Sequence, residues 1–204
     1  MKIINKIKLT ADGLVVTGTK RHIHLRQGDM DGACGVYSMM MCLIMIKAIT
    51  PGDVHPDNEH PNSRESKGRL INHFLNHNGM VRSGYELPKL KDELLHAFKS
   101  KVIVDYYDED ILSNIVNALD YDIPVEILIR YKRKGGHIIA VIGYKQENDS
   151  TLLFCLDPGF SLNEGMYWNN VIIVKGSNVN AYNCFDVMES TYVTICDMLT
   201  FSKP

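Results

Sequence analysis

The chain has 204 residues, of which 45% are hydrophobic and 23% are charged, and its formal net charge is -2. This composition is typical of a globular protein that has enough chain to bury a core without disulfides or structural metals. A nearly neutral charge gives no support for general binding to nucleic acid or to a membrane surface. The longest apolar run, residues 36–46, is too short to span a bilayer.

The five cysteines are odd in number, and no two of them form a CxxC pair. We interpret them as free thiols in a reducing compartment. The N-terminal segment MKIINKIKLTADG contains three lysines and lacks the apolar stretch of a signal peptide. We therefore expect a cytoplasmic protein, or one that is secreted or injected without a cleavable signal peptide.

The N-terminal region begins with strands. Residues 3–9 and 14–18 carry alternating or β-branched residues, and Asp12-Gly13 between them indicates a hairpin turn. Residues 22–25 alternate in the same way and are a further candidate strand. The pattern then becomes helical at Cys34, with apolar residues at a spacing close to 3.6, and Thr50-Pro51-Gly52 ends it.

Three more helices are predicted before residue 123. The first covers residues 64–77 and ends at Asn78-Gly79, after a polar, proline-containing loop over 52–63. The second covers residues 87–99, because a proline is tolerated in the first turn of a helix. Asp108 or Asp110 caps the third, which extends through Leu119.

The pattern changes at Ile123. Four strand-like runs follow, IPVEILIRY, HIIAVIGY, TLLFCLDP and NVIIVKG, and two weaker ones cover residues 181–187 and 191–197. Helices followed by strands predict an α+β fold with a helical N-terminal lobe over about 1–122 and an antiparallel sheet lobe over 123–204. We expect a single domain over residues 1–204, with a site in the cleft between the lobes.

Cys34 lies where a glycine-rich polar turn, GDMDGA, meets the first long helix. The free N–H groups and the dipole of a helix N-terminus favour a thiolate, and flanking glycines let a substrate backbone approach closely. A buried core cysteine is the alternative, because free cysteines are among the most buried residues. Gln27, in the preceding loop, is a candidate donor to an oxyanion together with the Cys34 backbone N–H.

Two further residues complete a candidate catalytic set. His137 follows Gly135-Gly136 and opens an apolar strand, where a titratable side chain faces a cleft more often than a core. Asp157 ends the next strand, and pairing of the two strands through a tight turn returns it to the side of His137. A turn residue before Pro158-Gly159 is the alternative interpretation of Asp157.

The segments RQGDMDGACGVYS, GGHIIAVIGY and LDPG resemble the papain-like cysteine peptidase superfamily, and most closely its double-glycine (bacteriocin-leader-processing) peptidase-like branch. The resemblance implies a papain-like fold, with Cys34 as nucleophile, His137 as general base and acid, Asp157 as the residue that orients the imidazole, and Gln27 as oxyanion donor. It also implies cleavage of peptide or isopeptide bonds in a protein or peptide substrate, without a cofactor.

Other functions stay open at this stage. The same residues can support deamidation or acyl transfer, or the fold can serve as a non-catalytic binding module. His73 and His77 have the i, i+4 spacing of a metal pair, but no third ligand has a convincing spacing. The basic run 130–134 is either a solvated hairpin end or a rim that attracts an acidic substrate or partner.

Overall fold

The computed structural model describes residues 1–28, 32–55, 61–75, 84–133, 135–180 and 182–204. The helices are α1 Cys34–Met45, α2 Pro51–Val54, α3 Ser66–Leu75, α4 Leu87–Phe98 and α5 Ile111–Asp120, and a 3-10 turn covers Lys99–Lys101. The strands are β1 Lys2–Ile3, β2 Ile7–Thr10, β3 Gly13–Val16, β4 Ile103–Tyr107, β5 Val125–Tyr131, β6 Gly135–Glu147, β7 Ser150–Leu156, β8 Asn170–Lys175, β9 Cys184–Asp186 and β10 Thr191–Ser202.

Six antiparallel strands close into a barrel. Strands β5 to β10 each pair with the next strand along the chain, and β10 pairs with β5 to complete the ring. Strand β1 adds to the outer edge of β6, and β4 adds to β10. The barrel strands alternate between side chains that point inward and side chains that point outward. Ile127 and Ile129 therefore share the inner face with their partners on β6, Ile139 and His137.

The prediction of an α+β, papain-like fold with a helical lobe and a separate sheet lobe is wrong. The protein is mostly β, and residues 1–122 contribute two strands to the barrel sheet instead of forming a lobe of their own. Local alternation of residue types reveals that strands exist but not which strands pair. Closure also depends on β6 and β10, which are long and carry register shifts at Val141/Gly143 and Ile195/Asp197, because such bulges bend a sheet.

The central helix α1 is apolar on almost all sides and packs on β5 and β6. Ten of its residues are buried, which is the pattern expected of a helix enclosed within a core. Ser38 Oγ donates a hydrogen bond to the backbone oxygen of Ile138 at 3.0 Å. A Cβ atom on Gly35 would lie 2.9 Å from Ile138 Cδ1 and 2.8 Å from Leu90 Cδ1. The start of α1 therefore lies close to the strand that carries His137.

Most of the other predicted elements are confirmed with different bounds, since β6 and β10 are longer than predicted and several others are shorter, while α2 lies largely in the segment predicted as a loop. The hairpin of β2 and β3 forms, while His22 makes only an isolated bridge to Val15. Helix α4 begins with Leu87 and Pro88 and buries Leu90 and Leu94 at helical spacing. The predicted helix end at Asn78-Gly79 lies outside the described residues. Within the parts of the chain that the structure describes, no helix is long and apolar enough to cross a membrane.

Candidate active site

Cys34 is the first residue of α1, and its side chain is partly exposed. Ala33 precedes it and offers no polar side chain that would occupy the first N–H groups of the helix. Those groups and the helix dipole therefore point toward the position of the thiol and of any acyl group bound to it. The predicted helix start at Cys34 is confirmed, while residues 29–31 of the preceding turn lie outside the described residues.

His137 lies between Cys34 and Asp157. Its Nε2 atom is 2.7 Å from Asp157 Oδ1, and its ring also forms a side-chain hydrogen bond with Cys34. Because Nε2 is engaged by the carboxylate, Nδ1 is the ring nitrogen that remains for the thiol. The imidazole is 17% exposed, so one edge is open to the cleft while the rest is enclosed.

The protonated form of His137 is strongly stabilised. Burial alone lowers the pKa of this histidine, but the hydrogen bonds to Asp157 and Cys34 and the charges of both groups outweigh it and raise the pKa to about 10. The protonated form of the imidazole is therefore favoured beside the Cys34 side chain at neutral pH.

Asp157 is fully buried, and both of its carboxylate oxygens have hydrogen-bond donors. Oδ1 accepts from His137 and from the backbone N–H of Gly159 at 2.8 Å. Oδ2 accepts from Asn170 Nδ2 at 3.1 Å. The carboxylate is held in one orientation, and the imidazole is held with it.

The loop that carries Asp157 is fixed by Asn169. The Asn169 side chain accepts from the Asp157 backbone N–H at 2.7 Å and donates to the backbone oxygens of Asp157 and Phe160, both at 2.8 Å. His24 Nε2 lies 3.1 Å from the Asp157 backbone oxygen. Burial lowers the pKa of His24, so the neutral ring is favoured there. These contacts anchor the turn after β7 against the segment before α1.

Gln27 lies in the same cleft as Cys34 and His137. The cleft has a volume of about 910 Å³. The Gln27 backbone N–H donates to the Pro158 backbone oxygen at 2.9 Å, which ties the loop before α1 to the turn after Asp157. Its side-chain Oε1 is buried and has no hydrogen-bond partner among the described residues. The oxyanion role of Gln27 stays a prediction.

The structure thus brings the four sequence-predicted residues together, with Gln27, Cys34 and His137 lining one cleft and Asp157 buried behind His137. Asn170 belongs to this group, and sequence reasoning missed it because an asparagine before an apolar strand is also a common turn residue. The sequence feature that could have identified Asn170 is the pair Asn169-Asn170, which follows the DPG turn and begins a strand.

The structure gives no support for a metal site at His73 and His77 within the described residues. His73 Nε2 lies 3.2 Å from Glu93 Oε2, and His77 is outside the described residues. The described part of the chain contains no group of three His, Cys, Asp or Glu residues arranged to hold a metal ion.

Comparison with known families gives one match that covers most of the chain. Residues 19–186 match the Peptidase C39 like family. The chain belongs to this family. Membership confirms the resemblance to the papain-like cysteine peptidase superfamily and supports a peptidase-like function.

A search of curated proteins found no match. Among solved structures, this C39-like protein is similar to a Bacillus anthracis protein described as a C39-like peptidase. The two chains are 12% identical with a TM-score of 0.48, and the similarity covers 100% of this chain and 98% of the other.

Proposed function

We propose that the protein is a cysteine peptidase in which Cys34, His137 and Asp157 act as a catalytic triad. The observation that carries this proposal is the position of His137, which hydrogen-bonds Cys34 on one side and Asp157 on the other. A nucleophile in contact with a base, and a third group that orients the base, form the arrangement that acyl transfer requires. Family membership supports the same reaction class.

The reaction begins from a thiolate and an imidazolium. Cys34 Sγ attacks the carbonyl carbon of a peptide or isopeptide bond, and the carbonyl oxygen takes the negative charge. The Cys34 backbone N–H and the Gln27 side-chain amide donate hydrogen bonds to that oxygen. His137 then gives its proton to the leaving amine, which departs and leaves a thioester. Water attacks the thioester, His137 accepts its proton, and the free acid and Cys34 are released.

Deamidation and acyl transfer use the same first steps. In deamidation the leaving group is ammonia from a glutamine side chain, and in acyl transfer an amine replaces water as the second nucleophile. The mass of the product distinguishes the three reactions. Hydrolysis cuts the chain, deamidation adds about one mass unit, and transfer joins two chains.

The first test is the rate at which iodoacetamide labels Cys34 near pH 6, read by peptide mass spectrometry. An ordinary thiol, with a pKa of about 8.5, is almost entirely protonated there and reacts slowly. We expect fast labelling of Cys34 in the wild type and slow labelling in His137→Ala. His22→Ala is the matched control, because His22 is an exposed histidine outside the cleft.

Cleavage of a peptide library by the wild type, and its loss in Cys34→Ala, completes the test. Slow labelling that does not depend on His137, together with no cleavage, would contradict the proposal. That result would favour the non-catalytic binding module, in which the cleft only holds a partner.

A further inference from the structure

The walls of the active-site cleft carry an excess of positive charge. Four cationic side chains line it, Lys89, Arg130, Lys132 and Arg133, and we call them the basic rim. All four are exposed. Glu86 is the acidic side chain among the described lining residues. The whole chain has a net charge of -2, so this excess is local to the cleft.

The charges of the rim are largely unneutralised by the protein. None of the salt bridges found among the described residues includes a member of the basic rim. Arg130 is near enough to Asp197 to oppose the rise that burial causes in the pKa of that carboxyl. Lys89 Nζ lies 5.0 Å from the centre of the Tyr85 ring, a cation–π contact that leaves its charge in place. Lys132 and Arg133 have no such partner in the described part of the chain.

The rim has a fixed position relative to the reacting groups. Arg130 is near the end of β5, Lys132 and Arg133 follow in the turn, and His137 is the third residue of β6. Gly135 and Gly136 directly precede His137 and carry no side chains, and a Cβ atom on Gly135 would meet nothing within 4 Å. The rim and His137 therefore line the same cleft, with open space beside Gly135.

We propose that the basic rim selects peptide substrates that carry a carboxylate close to the scissile bond. This inference rests on the proposed function, since it assigns the substrate class of the same site. Exposed charges that line a cleft attract an oppositely charged ligand and speed its arrival, and salt screens the attraction. The effect therefore falls on KM and on low-salt rates, while kcat depends on Cys34, His137 and Asp157. The carboxylate comes either from an Asp or Glu side chain or from a peptide C-terminus.

The first experiment needs no known substrate. It compares the rates at which iodoacetate, an anion, and iodoacetamide, its neutral analogue, alkylate Cys34 in the full chain at low salt. The rim variant is Lys132→Gln with Arg133→Gln. The matched control is Lys8→Gln with Lys20→Gln, which removes two exposed positive charges outside the cleft. His137 contributes equally to both variants, so a difference between them reports the rim.

We expect the ratio of iodoacetate to iodoacetamide rates to fall about fivefold in the rim variant and to stay constant in the control. At about 0.5 M salt the ratio should be the same in the rim variant and the wild type, because charges are then screened over a few ångströms. An unchanged ratio in the rim variant would overturn the inference. A slow absolute rate with both reagents contradicts the proposed function instead, so the two failures are distinguishable.

The second experiment identifies the source of the carboxylate. Peptides of one cleaved sequence are compared with Glu or with Gln near the scissile bond, each with a free or an amidated C-terminus. For the wild type, we expect one of the two carboxylates, the Glu side chain or the free C-terminus, to lower KM about tenfold relative to the matching neutral peptide. For the rim variant, we expect the acidic and the neutral peptide to have equal KM values. Equal KM values for all four peptides in the wild type would overturn the inference.

Discussion

Two buried carboxyl groups near Cys34 lie on opposite faces of the barrel wall and have opposite surroundings. Asp157, at the inner face, is fully buried, and both of its oxygens accept hydrogen bonds. Glu126, on β5, pairs with Ala140 and so shares the outer face with Ile138, beneath α1. It is also fully buried, but its carboxyl oxygens lack the well-formed hydrogen bonds of Asp157, and a weak contact with the Met39 backbone opposes the rise in its pKa only slightly.

The two carboxyl groups are equally buried, so the difference between them comes from their hydrogen-bond donors and not from their burial. Burial raises the pKa of Glu126 well above its ordinary value, and the nearby Cys34 and Asp197 raise it further, so the fold favours the protonated form of this acid. Asp157 instead accepts hydrogen bonds from the Gly159 backbone N–H, from Asn170 and from His137. One acid is held by donors on both oxygens beside His137, and the other lies in the core under the helix of Cys34.

The largest effect is expected from Asp157→Asn. This change keeps the size of the side chain and removes the charge that raises the pKa of His137, so the imidazolium is no longer favoured near neutral pH. Peptide cleavage should fall by about 100-fold or more. Asp186→Asn is the matched control, because Asp186 is equally buried but accepts from Tyr131 at 2.8 Å instead of from His137. An equal loss in both variants at equal melting temperature would remove the special role of Asp157.

The second effect is on stability as a function of pH. The folded-state pKa of His137, about 10, exceeds the ordinary value of 6.5, so the folded protein binds this proton more tightly than the unfolded chain. Its contribution is fully present below pH 6.5 and is lost as pH rises toward 10. We expect the unfolding free energy of the wild type, from urea denaturation, to fall by about 2 kcal/mol more than that of His137→Gln over this range. Parallel curves would show that the Asp157 contact does not hold the proton.

A smaller effect is expected from Asn170→Ala. In the proposed triad Asn170 positions Asp157, since its Nδ2 donates to Asp157 Oδ2 and its own Oδ1 accepts from the Val171 backbone N–H at 2.7 Å. Without this side chain the Asp157 carboxylate can rotate, and the His137 ring that it holds becomes less well oriented. We expect kcat to fall about tenfold with KM unchanged, whereas Asn178→Ala on an exposed loop changes neither constant. A rise in KM with constant kcat would instead assign Asn170 to substrate binding.

The smallest effect is expected from Glu126→Gln. A neutral amide resembles the protonated acid, so the variant should fold and cleave peptides like the wild type. The wild-type contribution of Glu126 is fully present below its ordinary pKa of 4.5 and is lost as pH rises, because only the unfolded chain releases the proton easily. The wild type should therefore lose about 1 kcal/mol more of its unfolding free energy than the variant does when the pH is raised from 5 to 7. A constant difference over this range would mean that Glu126 is ionised in the fold.

Several parts of the site follow from the sequence because the signals are local. The change from a polar turn to an apolar helix at Cys34 marks the start of α1. The length of the run from His137 to Asp157 fits two paired strands, and β6 and β7 do pair. In both cases the relevant residues are adjacent in the chain or joined by one short turn.

The barrel and its edge strands do not follow from the sequence, because their pairings are distant. Strand β4 is five residues between two helices, and its partner β10 comes much later in the chain. The pairing of β5 with β10, which closes the ring, is equally remote. Glu126 was missed for a related reason, since its place under α1 depends on which face of β5 the helix covers.

The order of strands around the barrel also bears on how the site assembles. All barrel pairings except β5 with β10 join consecutive strands, and such pairings close short loops and form early. His137 and Asp157 therefore meet when a single hairpin forms. Cys34 joins them only when α1 docks on β5 and β6, far apart in sequence from the helix. Under the proposed function, fast alkylation of Cys34 therefore reports that this long-range docking has taken place, which formation of the β6–β7 hairpin alone does not achieve.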